Sequence, residues 1–119
     1  MLFTLGELRR INDVLGTIIG KELPIVVAWR LNNFLTISIE KTEKAEEFRV
    51  SLIKKYGKEI EKDKWEVCEE NLDKFINEFN ELLNETVEID FSPININSLI
   101  GKLDLSLEQI QTISKLFEE

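Results

Sequence analysis

The chain has 119 residues, of which 43% are apolar and 32% are charged, and its formal net charge is −8. This length and balance favour one soluble globular domain over residues 1–119 and exclude a wholly disordered chain. The longest apolar run, Leu23 to Trp29, is much shorter than the roughly 20 residues of a membrane span. The first ten residues lack the charge order and cleavage site of a secretory signal. We therefore predict a cytoplasmic protein without membrane contact.

The first predicted helix runs from about Leu5 to Ile19. Thr4 and Glu7 match the capping box that opens many helices. The apolar residues that follow recur at spacings of three and four, which is typical of a helix with one buried face. They are Leu5, Leu8, Ile11, Leu15, Ile18 and Ile19.

A long second helix is predicted from Ile25 to Tyr56. Pro24 is acceptable in the first turn of a helix, and neither glycine nor proline interrupts residues 25–56. The alternation of β-branched and polar residues in FLTISIEK would also allow a strand there, but the helical spacing resumes in phase after it. That spacing joins Val27, Leu31, Phe34, Ala45, Phe48 and Leu52, with the polar Ser38 and Lys41 in two of its intermediate positions.

The second half of the chain predicts shorter elements. A strand at Trp65–Cys68 is expected to pair with a strand carrying Val87, Ile89 and Phe91, whose alternation with acidic residues is typical of a half-buried strand. Between these strands we predict a third helix, residues 72–83, capped by Asn71. The final helix follows the capping box of Ser106 and Gln109 and is lined by Leu107, Ile110, Ile113, Leu116 and Phe117. The predicted fold is mainly α (α+β): a long helical hairpin, two further helices and a short two-stranded antiparallel β-ribbon.

Several segments resemble small helical proteins encoded by phages and prophages. They are ELP, FRVSLIKKYGKE, NLDKFINEFNELLNETVEIDF and LSLEQIQTISKLFEE. In such proteins a helical hairpin ends near Lys-Tyr-Gly, a Phe-x-x-Glu-x-x-x-Leu-Leu helix leads into a short Val-rich strand, and a terminal helix follows a Leu-Ser or Leu-Thr cap. The resemblance covers about residues 20–119. It implies a phage setting, with the host cell cytoplasm as the location, and it assigns no catalytic or binding residue.

Several features on which enzymes commonly depend are missing from this sequence. Histidine is absent and the glycines are scattered singly, which removes the usual general base and any glycine-rich phosphate loop. Cys68 has no second cysteine to pair with, so we interpret it as a structural residue. A run of acids at Glu66, Glu69, Glu70 and Asp73 is interpreted as a solvated helix entry rather than a Mg²⁺ or Ca²⁺ site. We predict no enzymatic activity, no catalytic or metal-binding residue and no cofactor.

The charges are divided unevenly along the chain. Residues 1–60 contain ten Lys and Arg against eight Asp and Glu, whereas residues 61–119 contain five against fifteen. Every arginine lies in the first half. Guanidinium groups hold phosphates and carboxylates through paired hydrogen bonds, while the overall acidity disfavours duplex nucleic acid as a partner.

Trp29 and Arg30 lie away from the buried stripe of the second helix. One interpretation is that Arg30 pairs with a carboxylate of its own chain, such as Glu22. The other is that arginines from two or more subunits of a homo-oligomer hold an anionic nucleotide, on which an aromatic side chain stacks. This second interpretation predicts as ligand-binding residues Arg30, Trp29, Asn33, Arg9, Arg10 and Arg49.

Three functions fit these properties. The one we favour is a non-enzymatic, oligomeric counter-defence factor that sequesters a nucleotide signal or blocks a host defence protein. The second is a phage morphogenesis or tail-assembly factor. The third is an acidic DNA mimic whose negatively charged half binds a basic host protein.

Overall fold

The computed structural model describes residues 1–98 and 104–119 and confirms the mainly α fold. Its long elements are helices, and its strands are short. The helices are α1 (Leu5–Ile18), α2 (Ile25–Tyr56), α3 (Leu72–Leu83) and α4 (Leu107–Ile113). The strands are β1 (Leu2–Thr4), β2 (Gly57–Glu61), β3 (Lys64–Val67), β4 (Thr86–Glu88), β5 (Ile94–Asn95) and β6 (Phe117–Glu118). Among the described residues, no helix has both the length and the apolar character needed to cross a membrane.

Helix α1 starts at the predicted capping box. The Thr4 hydroxyl accepts a hydrogen bond from the Glu7 amide, and the Glu7 carboxylate accepts one from the Thr4 amide, both at 3.0 Å. These two bonds satisfy amides that the first turn of a helix leaves without partners. The face of α1 that packs into the core carries Leu5, Leu8, Ile11, Val14, Leu15 and Ile18.

Helix α2 is continuous, so the strand alternative for FLTISIEK is wrong. Its first half packs against α1 through Val27, Leu31 and Phe34, all of which are buried. The polar Ser38 continues this stripe and is also fully buried. Its hydroxyl donates to Oδ1 of Asn12 on α1, so the polar position in the middle of α2 belongs to the contact between the two helices.

The predicted strand pairing is wrong. Strand β3 pairs with β2, which was not predicted, and forms a local antiparallel hairpin closed by Lys62 and Asp63. Asp63 has a positive φ of 60°, a conformation that aspartate tolerates better than most residues. A hairpin needs only a short loop closure, whereas pairing β3 with β4 would have to bring strands together across a whole helix.

Strand β4 pairs instead with β1, antiparallel, with Phe3 opposite Val87. Phe3 is buried, and Ile89 just after β4 is buried beside the same core. Of the predicted β4 positions, Phe91 lies beyond the strand and is only half-buried.

The C-terminal segment also differs from its prediction. Helix α4 stops at Ile113, and after a 3-10 turn the chain becomes extended at Phe117, where β6 pairs with β5 in parallel. Ile113 and Leu116 are buried, but Leu107 and Ile110 are exposed. At the start of α3, the Asn71 side chain makes no cap and donates to the Tyr56 carbonyl instead.

The core is concentrated at one end of an elongated molecule that measures 50 × 26 × 24 Å. It is formed by α1, residues 25–45 of α2, β1 and the segments after β4 and in the C-terminal region. We call the rest of the described structure the arm: residues 46–56 of α2, the β2–β3 hairpin and α3. Within the described residues, no side chain of the arm is fully buried.

Candidate binding groove beside Trp29

Three of the predicted ligand-binding residues lie together in a groove of about 260 Å³ between α2 and the segment that follows β4. Successive turns of α2 place Trp29, Arg30 and Asn33 along one wall. The opposite wall was not predicted as part of a site. It consists of Asp90, Phe91 and Ser92, and the remaining lining residues are Phe34 and Ile37.

Arg30 is held by its own chain, though not by a carboxylate. Its Nη2 donates to the main-chain carbonyl of Ser92, and its guanidinium lies 5.4 Å from the centre of the Phe91 ring. A planar cation over an aromatic face is attracted by the negative charge of that face. Neither sequence interpretation of Arg30 foresaw this contact, which links α2 to the segment after β4.

A row of aromatic rings connects this arginine to the core. Phe91 meets Phe34 edge to face at 5.2 Å, and Phe34 meets Phe3 in the same way at 5.3 Å. Edge-to-face pairs are favourable because the positive edge of one ring meets the negative face of the other. Phe3 and Phe34 are buried, so Arg30 closes the outer end of a stack that begins inside the protein.

Trp29 lies on the outer side of the groove and is largely exposed. The same side of α2 carries Ile25, Val26, Asn33 and Ile37, and we call these five residues the Trp29 face. Ile25 is 80% exposed, and both Val26 and Trp29 are 64% exposed. An isolated exposed apolar residue is ordinary, but a contiguous group on one helix is typical of an interaction surface.

The charge in the groove is balanced rather than basic. Arg30 contributes the positive group and Asp90 contributes an exposed carboxylate to the opposite wall. A carboxylate in a groove repels phosphate, so the groove is less favourable for a free anion than an arginine-lined pocket would be. The apolar Trp29 face beside it has no such conflict with an apolar partner.

The other three predicted arginines lie elsewhere. Arg9 packs over the Phe79 ring at 5.3 Å. Arg10 lines a separate small groove between α1 and α4. Arg49 is bound by Glu46 one turn earlier, with its Nε 2.9 Å from both carboxylate oxygens. Hydrogen bonds from Arg49 lower the pKa of Glu46, and the same bonds raise the pKa of Arg49. These three arginines therefore do not converge with Arg30 in the chain.

The acidic run near the start of α3 lines an open groove of about 710 Å³. Glu66, Glu69 and Glu70 contribute to its walls together with the half-buried Cys68. In the part of the chain that the structure describes, no group of three metal-ligating side chains is close enough to hold an ion. This surface therefore gives no positive sign of a metal site.

Comparison of the chain with models of known protein families, with curated proteins and with solved structures gives no match.

Proposed function

We propose that this chain is a non-enzymatic binding protein of the phage counter-defence type, which blocks a host defence protein by docking to it through the Trp29 face. The exposed side chains of Ile25, Val26 and Trp29 support this proposal. Their exposed apolar surface does not contribute to the core of the chain. Burying a tryptophan and two aliphatic side chains on a partner removes a large apolar area from water. Tryptophan is also among the residues that contribute most to protein interfaces.

The partner that fits this surface is a protein whose apolar ridge is flanked by a basic group opposite Asp90. Asp90 lies beside the Trp29 face, and its carboxylate is exposed. Complementary charge around an apolar contact accelerates association and excludes wrong partners. The phage setting and the host cytoplasm come from the sequence resemblance, and the docking surface comes from the exposed residues.

A second candidate function, sequestration of a nucleotide signal, has one observation in its favour. An exposed indole and a guanidinium line the same groove, a pairing that would allow a base to stack on Trp29 while Arg30 contacts a phosphate. Asp90 and the Ser92 carbonyl already occupy the neighbourhood of Arg30, so this candidate ranks second.

The docking proposal is tested with matched surface variants. The wild-type protein, Trp29→Asp and the control Leu107→Asp are used as bait in extracts of the bacterial host. Leu107 is 71% exposed on α4 and is not part of the Trp29 face. Each captured protein is then purified, and the Kd of its complex with each of the three bait proteins is measured.

We expect a host protein that binds wild type and Leu107→Asp equally and binds Trp29→Asp at least about tenfold more weakly, the loss expected for a central aromatic contact. Equal binding of wild type, Trp29→Asp and Leu107→Asp would overturn docking through Trp29. Specific capture of a virion protein from phage-infected cells would support the morphogenesis alternative instead. Binding of a basic host protein that depends on salt but not on Trp29 would support DNA mimicry.

The nucleotide candidate has its own measurement. Melting temperature is recorded with cyclic and ADP-ribose nucleotides for wild type and Arg30→Ala. Because a ligand that binds only the folded state raises stability by mass action, a shift of several degrees that is lost in Arg30→Ala would favour sequestration. The absence of any shift would exclude the nucleotides that were tried.

A further inference from the structure

A groove of about 360 Å³ lies between the C-terminal half of α2 and helix α3. The β2–β3 hairpin joins the two helices, and α3 runs back along α2 until its end lies beside the start of α1. A Cβ on Gly6 of α1 would be 3.6 Å from that of Leu83. The groove therefore follows two helices packed side by side. Its lining comes from residues 48–55 and 78–85, in each case about two turns or roughly 10 Å.

The described residues leave this groove open, and its floor is apolar. Leu52 of α2 and Leu82 of α3 line it, and both are half-buried. Phe48 borders them with 59% of its surface exposed. Burial of this ring on a partner would remove a large apolar area from water. An exposed aromatic ring next to a groove with an apolar floor is typical of a surface that binds another protein.

The rim of the groove carries charge of mainly one sign. Glu78, Glu81 and Glu85 line the α3 side, and their spacing of three and four places them on one side of the helix. Lys55 is the only cation among the described lining residues, and it already donates to Glu78 at 3.2 Å. In the part of the chain that the structure describes, neither Glu81 nor Glu85 forms an ion pair. The groove therefore offers two carboxylates to a cationic partner.

This charge distinguishes between the candidate occupants. A phosphate or a nucleic acid would be repelled by the carboxylates. A second copy of this chain would bring its own glutamates against the same rim, and like charges across an interface are costly. A basic helix fits both the rim and the floor, because it presents apolar residues at spacings of three and four with lysine or arginine beside them. The space between two packed helices is also a shape that a third helix fills.

We propose that the α2–α3 groove binds a basic amphipathic helix of a partner protein. The apolar residues of that helix cover Phe48 and the two leucines, and its lysine or arginine residues lie opposite Glu81 and Glu85. This contact buries apolar side chains of the arm, where no described side chain is fully buried. The Trp29 face lies on residues 25–37 of α2, outside this groove, so the inference does not depend on the docking partner proposed above.

The test uses a synthetic peptide of about 20 residues, long enough to form a helix when bound. It has leucines at spacings of three and four, with lysines beside them. One control peptide has the same composition in scrambled order, and a second has glutamates in place of the lysines. Binding of each fluorescently labelled peptide to the protein is measured by anisotropy over a series of salt concentrations. We expect the leucine–lysine peptide to bind, and both control peptides to bind at least about tenfold more weakly.

Variants of the protein locate the contact. Phe48→Ala should weaken binding of the leucine–lysine peptide at least about tenfold, as expected for a central aromatic contact. Glu81→Gln combined with Glu85→Gln should weaken it about threefold or more and reduce its dependence on salt, because charges at the rim of an interface act mainly at low ionic strength. All three side chains are exposed, so these variants should keep the fold, which far-UV circular dichroism checks.

A matched control separates this groove from acidity in general. Glu69→Gln combined with Glu70→Gln removes two exposed carboxylates that line a different groove, and it should leave binding unchanged. Trp29→Asp should also leave binding unchanged. In NMR spectra of the protein, the peptide should shift the amide signals of residues 48–55 and 78–85 and not those of the Trp29 face.

Three results would overturn the inference. The first is a leucine–lysine peptide that does not bind, or that binds no better than its scrambled control. The second is an equal loss of binding in the two pairs of glutamine variants, which would indicate attraction to acidic surface in general. The third is a wild-type protein that sediments as a dimer and becomes monomeric in Phe48→Ala, since a second copy would then occupy the groove. Retention of host-protein capture in Trp29→Asp would bear on the docking proposal alone.

Discussion

The Ser38 hydroxyl donates a hydrogen bond of 2.5 Å to Oδ1 of Asn12, and this bond crosses the contact between α1 and α2. Nδ2 of the same asparagine donates to the Thr42 hydroxyl at 3.0 Å, one turn further along α2. Ser38 is fully buried. The asparagine thus provides the partner that a buried hydroxyl requires.

Replacement of Asn12 should therefore cost more than replacement of Ser38. Asn12→Ala leaves the buried hydroxyl without its acceptor, and an unpaired buried polar group costs about 1–3 kcal/mol. Ser38→Ala removes the hydroxyl itself, for which the expected loss is about 1 kcal/mol. Urea unfolding followed by circular dichroism measures both changes. Ser51→Ala is the control, since Ser51 is an exposed serine of the same helix, and its variant should unfold like wild type.

Replacement of glycine by alanine should have opposite effects on stability at Gly57 and at Gly16. A Cβ at Gly57 would lie under 3.0 Å from main-chain atoms of Glu66 and Ile53, where nothing flexible can move aside. Gly57→Ala should therefore displace the hairpin from the end of α2 and lower the melting temperature.

Gly16 provides the comparison for that variant. It is exposed on α1, and a Cβ there meets nothing within 4 Å. Gly16→Ala should stabilise the protein by about 0.5–1 kcal/mol, because alanine loses less backbone entropy in a helix. Equal melting temperatures for the two alanine variants would contradict the close packing described at Gly57.

The capping box at α1 predicts a dependence of stability on pH. The hydrogen bond from the Thr4 amide lowers the pKa of Glu7, and Lys115, at 3.6 Å, acts in the same direction. A carboxylate with a lowered folded pKa contributes stability that is fully present above the unfolded value of about 4.3. That contribution is lost as the pH falls through the folded value.

Glu7→Gln isolates this effect. Glutamine can still accept the bond from Thr4, but it neither titrates nor pairs with Lys115, so the variant should be less stable than wild type at neutral pH. The difference should shrink in acid. Thr4→Ala should cost about 0.5–2 kcal/mol at every pH, the usual range for a lost cap. A difference between wild type and Glu7→Gln that is constant with pH would contradict the assignment.

Variants of Arg30 and Trp29 should differ in their effect on stability, because Arg30 contacts its own chain whereas Trp29 is largely exposed. Arg30→Ala loses the bond to the Ser92 carbonyl and the contact with Phe91, and we expect a loss of about 1 kcal/mol. Trp29→Ala removes a largely exposed side chain and should change the free energy of unfolding by less than about 0.5 kcal/mol. Thermal unfolding of both variants checks this contrast. A strongly destabilised Trp29→Ala would mean that Trp29 belongs to the core rather than to a docking surface.

The helices could be predicted from the sequence, because the side of a helix that packs into the core carries apolar residues at spacings of three and four. Thr4 with Glu7, and Ser106 with Gln109, form the capping boxes that their spacing predicts. The continuous α2 also follows from its spacing. Ser38 interrupts the apolar pattern, however, and its partner Asn12 is 26 residues away, so no local signal explains it.

The strands could not be predicted to the same extent, because the tertiary fold rather than the local sequence determines which strands pair. Leu2–Thr4 looks like the approach to a cap, and it becomes a strand through contact with Thr86–Glu88. The β2–β3 hairpin depends on the left-handed conformation of Asp63 in a charged segment with few apolar residues. A turn signal at Lys62-Asp63 was present in the sequence, but strongly charged flanks concealed the two strands.

One wall of the candidate groove was predicted from the sequence, and the opposite wall was not. Trp29, Arg30 and Asn33 share a helix, so their proximity follows from the helical period. Asp90, Phe91 and Ser92 come from a segment 60 residues later, and only the packing of Phe91 on Phe34 brings them to the opposite wall. The sequence signal for this wall was the alternation that ends at Phe91.

The pairing of β1 with β4 also constrains how the protein is made. Leu2 lies opposite Glu88, so the ribosome must add 86 residues before the first strand has its partner, which takes about 4–17 s at synthesis rates of about 5–20 residues per second. The buried Ile113 and Leu116 arrive later still. Until then the apolar side of α1 lacks part of its cover, so the nascent chain exposes a hydrophobic surface of the kind that chaperones bind.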